Sequence, residues 1–183
     1  MKTAAAILLI AGASSAHAQN TVTVGPGYQP GQRSARKLVY VLPKGWVADA
    51  AAAREAGIDA VLLPQGRTLA DTHAAVTVAF QGKDAKDPGL SDLRSFVRVD
   101  MQNSLASQQG IEATRWQPNG LDPDRVPFMS FELHGAAGSK VSPQHVVYLD
   151  AGDGYFSVSL TVERREELKS PEYEAFFSSL ALR

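Results

Sequence analysis

An α+β fold, a largely antiparallel sheet flanked by helices, is what this sequence predicts. Two observations carry that expectation. The last third of the chain alternates apolar and polar residues in runs joined by short links, and strands joined that closely pair antiparallel. Two stretches, 91–109 and 170–180, instead repeat their apolar residues at helical spacing. Strands grouped together, with helices set among and after them, mark the α+β class rather than alternating βαβ units.

The elements follow in order. Lys37 to Leu42 is a β-type run, and Pro43-Lys44-Gly45 turns the chain. Asp49 can cap an Ala-rich helix that ends at Gly57, and Ile58 to Leu63 has strand length. A second stop, Pro64-Gln65-Gly66, closes that run; in each stop proline denies the next ladder bond and glycine supplies the turn. Thr72 to Phe80 continues as a strand with Val76, Val78 and Phe80 on one face. After the polar loop 81–89, Ser91 caps a helix whose stripe is Leu93, Phe96, Val97, Met101 and Leu105, closed by Gly110. Ile111 to Trp116 reads as a strand and 119–124 as a loop. Met129, Phe131 and Leu133 alternate with Ser130, Glu132 and His134. His145 to Leu149 is the next strand, joined by the hairpin connection 150–154 to a strand in which Phe156, Val158, Leu160 and Val162 form a dry face. Its other face, Tyr155, Ser157, Ser159 and Thr161, is expected to meet solvent. The mixed-sign stretch Glu163 to Glu167 is expected to be a solvated connection. Ser170-Pro171 opens the final helix, with Tyr173, Phe176, Phe177 and Leu180 as its buried stripe.

The N-terminus predicts export. Lys2, the short apolar block Ala4 to Ala11 and Ala16-His17-Ala18 have the layout of a signal peptide over 1–18, cut after Ala18. Residues 19–35 read as a flexible lead-in and 36–183 as a single domain. Loss of Lys2 takes the 18 basic residues to 17 against 19 acidic ones, a net charge of −2. With no basic stripe, nucleic acid is not the expected partner. The chain has no cysteine, which removes disulfides, thiolate metal ligands and a cysteine nucleophile. No later apolar run approaches the roughly 20 residues that span a bilayer.

The element order, together with particular residues, resembles the PsbP-like fold family. These residues are the opening strand ending in Pro43-Lys44-Gly45-Trp46, the middle helix before consecutive antiparallel strands, and the terminal Phe176-Phe177-Ser178-Ser179-Leu180. That family includes an extrinsic photosystem subunit, a Ran-binding nuclear import factor and small exported bacterial proteins. The resemblance covers about 36–183 and implies an α/β/α sandwich. It also implies action through protein contacts, and it carries over no catalytic set.

The residues that could form a site have plain readings beside functional ones. Trp46, just after a turn, either closes one end of the core or stacks a sugar or peptide; packing is the expected role. His73, His134 and His145 lack metal-ligand spacing, so no metal or cofactor is expected. A hydrolase would need Ser139, Ser157 or Ser159 with His134 or His145 and an orienting Asp150 or Asp153. Glu132, His134, Ser157 and Ser159 could share one polar face, but no Gly-x-Ser-x-Gly elbow occurs. Gly135 to Lys140 has the wrong order for a phosphate loop, and 150–154 has too few oxygen ligands for calcium. The sequence therefore predicts a soluble periplasmic or secreted, non-catalytic binding or protein-interaction module with another envelope protein as partner. Contacts are expected at the polar sheet face or loops 81–90 and 119–125, with Trp46, His134, Tyr155, Ser157 and Ser159 as the candidate binding residues. The alternatives are an envelope hydrolase acting on an ester or glycan through His134 or His145, and a small-ligand carrier whose pocket is lined by Trp46 and Tyr155.

Overall fold

The computed structural model describes residues 34–107, 110–136, 139 and 141–183, apart from which only a two-residue ladder between Leu9–Ile10 and Val22–Thr23 is defined. The remainder of the expected signal peptide and of the lead-in lies outside the described residues. So do Ala137, Gly138 and Lys140 of the loop compared above with a phosphate loop. At the end of the expected lead-in the Ser34 hydroxyl donates to Asp153 Oδ1 at 2.8 Å and the Ala35 N–H to Oδ2 at 2.5 Å.

The opening strand is shorter than its apolar run. β1 is Leu38–Val39, paired with β9, Ala181–Leu182, at the other end of the domain. It stops because the next ladder partner is missing: the Val41 N–H is taken by Ser179 Oγ at 2.9 Å. The Pro43 turn then leads into a strand the pattern did not reveal, β2, Trp46–Ala48. α1 (Ala50–Ala56) starts as expected, with Asp49 Oδ1 accepting from the N–H groups of Ala51 and Ala52 at 2.9 Å, and it ends at Gly57 with φ +67°. β3 (Ala60–Pro64) pairs with β2 so that Trp46 faces Pro64. The two Pro-x-Gly stops therefore lie side by side, tied by Gln65 N–H to Gly45 O at 2.7 Å.

β4 (Ala74–Gly82) leads through the polar loop to α2 (Leu93–Ser107). The cap of α2 is Asp92 rather than Ser91: Asp92 Oδ1 accepts from Ser95 N–H at 2.9 Å, while the Ser91 hydroxyl points back to Pro88 O. Then come β5 (Ile111–Arg115), β6 (Phe128–Gly135), β7 (Gln144–Asp150) and β8 (Gly154–Val162). The β7–β8 hairpin needs Gly154, where a Cβ would sit 2.3 Å from the Phe80 ring. The charged stretch after β8 forms a 3-10 turn, Arg165–Lys169, that buries Leu168 instead of staying fully solvated. α3 (Pro171–Ser178) is capped by Ser170, whose Oγ accepts from Tyr173 N–H at 3.3 Å.

Seven strands form one antiparallel sheet in the order β2-β3-β4-β8-β7-β6-β5. Helices lie on both faces. α3, with Phe176 and Phe177, packs on Leu62, Val76, Val147, Val158 and Leu160. On the opposite face α2 sets Phe96 and Val97 against Tyr148 and Tyr155, and α1 covers Val61, Leu63, Ala75 and Ala79. The expectation of one solvated face on β8 is corrected here, since all nine residues of that strand are buried. Small serine and threonine side chains suit the close cover there, and the Ser159 hydroxyl is satisfied by Gln144 Oε1 at 3.1 Å. No described helix is long and apolar enough to cross a membrane.

Candidate functional site

The structure disperses the residues singled out from the sequence. Trp46 is buried at one sheet edge, edge-on to Tyr173 with ring centroids 5.9 Å apart. Tyr155 is fully buried on the other face, stacked on Phe96 at 4.8 Å, with its hydroxyl donating to Leu90 O. Burial pushes the Tyr155 phenol well above its ordinary range, and Asp150 and Asp92 add to that. Trp46 and Tyr155 therefore do not line a common pocket.

The strand serines are not brought to the histidines either, and the Ser139 hydroxyl accepts from Val141 N–H at 3.2 Å. The register sets Ser157 opposite Tyr148 and Met129, and Ser159 opposite Val146 and Phe131, all on the α2 face. Glu132 and His145 face each other on the α3 face, and His134 shares that side. So the proposed sharing of one face by Glu132, His134, Ser157 and Ser159 is corrected: the serines and the imidazoles lie on opposite sides of the sheet. His134 is buried, 3.9 Å from Glu112. His73 is exposed and pairs with Glu163 at 2.9 Å. Among the described residues no three metal-ligating side chains converge.

What the register does assemble is a column that sequence spacing could not show. His145 Nε2 lies 3.5 Å from Glu132 Oε2, and Arg165 Nε donates to the other carboxylate oxygen. Trp116 stacks flat on the imidazole at 3.7 Å, with Phe177 edge-on to both rings. Burial lowers the His145 pKa to about 4 against the pull of Glu132, so the ring is neutral near pH 7. Burial alone would raise the Glu132 carboxyl, but Arg165 and His145 outweigh it and hold it below the ordinary value. His145 is 2% exposed, so this column supports Trp116 rather than presenting a base to solvent.

The outer side of Trp116 borders a groove of about 400 Å³, a size that small ligands and peptide segments occupy. Arg94 from α2, Arg115 at the end of β5, Gln117, Phe128 and Phe131 complete its wall, and no acidic residue lines it. Both arginines are exposed, and neither has an ion-pair partner among the described residues.

The groove exists because the ladder stops. Asp150 N–H donates to Pro127 O at 2.9 Å, so alternate residues of β6, Phe128 and Ser130 included, turn their backbone groups away from β7. The Trp116 N–H still donates to Ser130 O at 3.3 Å, while the Ser130 hydroxyl donates to the Trp116 carbonyl. Continuing the register of Arg115 with Phe131 would bring Pro118 opposite Phe128. Proline has no N–H, so β5 cannot go on, and the Phe128 backbone faces the groove. A smaller groove of about 250 Å³ beside Leu180 differs in charge: Asp122 stands in it, and its Arg36 already donates to Leu182 O. From the sequence Trp116 is only the end of a strand. The sequence signal was the Trp-Gln-Pro that breaks that strand, and loop 119–125 does reach the groove through Pro123.

An α/β/α sandwich is what the resemblance to the PsbP-like family implies, and comparison with solved structures bears out a PsbP-like fold. The solution structure of cyanobacterial PsbP (CyanoP) from Synechocystis sp. PCC 6803 matches with a TM-score of 0.54 at 14% identity, over 86% of this chain and 99% of that one. No family model and no curated protein matches the chain.

Proposed function

We propose that this protein is an exported, non-catalytic interaction module that holds another envelope protein at the open edge between β5 and β6. The observation that carries the reading is the groove itself: an aromatic wall, two arginines without an ion-pair partner among the described residues, and an unpaired strand segment at one exposed edge. Trp and Arg are the side chains that most often dominate protein–protein binding energy. Export rests on the layout of residues 1–18. The non-catalytic reading is supported by the placement of Ser157 and Ser159 across the sheet from His134 and His145, and by the Ser139 hydroxyl accepting from Val141 N–H in its own loop.

The test is capture from an envelope extract with the purified protein and with its Arg94→Glu/Arg115→Glu variant. The reading expects a stoichiometric partner that the variant loses. Capture that both proteins share equally, or turnover of ester or glycan substrates by the purified protein, would contradict it.

A further inference from the structure

We infer that the groove takes an extended, acidic peptide segment, which adds to β6 as the strand that β5 fails to supply. This rests on the reading of the β5–β6 edge as the binding surface and names the chemistry of its partner.

Three features converge. The Phe128 N–H and carbonyl point outward at the place where Pro118 ends β5, so backbone hydrogen bonds are available to an incoming strand. An added strand sends alternate side chains to opposite sides of the sheet. On the α2 side they meet Arg94, Arg115 and Phe131; on the α3 side they meet Trp116 and Phe128. That pattern selects carboxylates at every second position and apolar residues between them. Two guanidinium groups without an acidic neighbour in the groove give the site its charge preference, and arginine can bind a carboxylate through two parallel hydrogen bonds. The Trp116 face is held in place from behind by the His145–Glu132–Arg165 column, so the aromatic wall is preorganised. The edge is also unguarded: natural sheets usually block such a stretch with charge or a covering loop, and here the charge is of one sign.

The experiment uses a capped peptide of alternating Val and Glu, about eight residues long, enough to cover the open stretch. Binding is followed by the fluorescence of Trp116 in a Trp46→Phe background. The expected result is saturable binding that weakens at least about tenfold with the Val/Gln counterpart and with either Arg94→Glu or Arg115→Glu, the range of an interfacial hot spot. Equal affinity for the neutral peptide, affinity unchanged by both charge reversals, or no binding of the acidic peptide overturns the inference. Displacement by glutarate as effective as by the peptide also overturns it, in favour of a small-acid site. The same peptide is added to the capture assay. Capture that is lost on charge reversal but not competed by the acidic peptide rejects the acidic strand and leaves the edge as the binding surface; capture indifferent to charge reversal rejects both.

Discussion

The two tryptophans of this chain occupy opposite edges of one sheet, and the edges have been treated differently. Trp46 opens β2 opposite Pro64, packs edge-on to Tyr173 and is 8% exposed; the chain on either side of its strand pair is tied off by paired Pro-x-Gly turns. Trp116 follows β5, is half-buried, and shows one face to His145 and the other side to the groove. Proline stops a strand in both places. At the β2 edge the stop coincides with a sealed corner of the core. At the β5 edge it leaves the first residues of β6 without a partner on that side. The lesson is that the same residue pair, an indole beside a proline, closes an edge or opens it according to whether the neighbouring strand still needs hydrogen bonds at that point.

The largest expected effect breaks the symmetry of the pair. Trp46→Ala removes a core indole and should cost about 3–5 kcal/mol, read as a lowered denaturant midpoint. Trp116→Ala, on the half-buried side chain, should cost less than about half of that range yet abolish capture of the partner. Equal losses of stability with binding intact would mean that Trp116 is simply a second core residue.

Acid should also separate the two. His145 is held neutral in the folded protein with a pKa of about 4, below its ordinary 6.5, so the unfolded chain binds the extra proton first as pH falls. Stability from this residue is therefore present above pH 6.5 and is lost as pH falls toward about 4, on the order of 3 kcal/mol in total. Glu132, with a lowered pKa, acts in the same direction at more acid pH. Asp100 opposes both. Buried on α2 with the Tyr148 hydroxyl donating to it at 2.7 Å, its carboxyl is pushed up to about 7 by burial. It holds a proton in the folded state that the unfolded chain releases, so its share of stability falls as pH rises from its ordinary 3.8 toward about 7. Asp100→Asn should remove that opposing slope and leave a steeper loss of stability below pH 6.5. In that background the environment of Trp116 should respond to acid before that of Trp46, as tested by fluorescence of the single-Trp variants.

A smaller effect sharpens the comparison directly. Pro118→Val restores the N–H that the β5 ladder lacks opposite Phe128. Stability should change by less than about 1 kcal/mol, while β5 lengthens over the groove and partner capture weakens. Unchanged capture with a protected Phe128 amide would show that the unpaired strand segment is not used.

Much of the fold was legible because it is local. Asp49 and Ser170 as caps, Gly57 as a helix stop, and the alternation along β6 to β8 each follow from residues close in sequence. The missed pieces depend on partners far away. β2 is three residues long and exists because β3 offers it a ladder. The Ser157 and Ser159 face looked solvated because nothing in β8 says that α2 will cover it. Little of the site was legible: Trp116, His145, Glu132 and Arg165 come together through strand register and a later turn, and spacing along the chain cannot show that. The opening of the edge turns on Pro118, which falls between the expected strand 111–116 and the expected loop 119–124 and belongs to neither.

The most direct measurement is amide hydrogen exchange, residue by residue, with and without the saturating Val/Glu peptide. The account predicts slowed exchange at Phe128, by about tenfold or more for a newly formed hydrogen bond, with no change at Ala48 on the β2 edge. Protection at Ala48, or none at Phe128 while the peptide is bound, would contradict it.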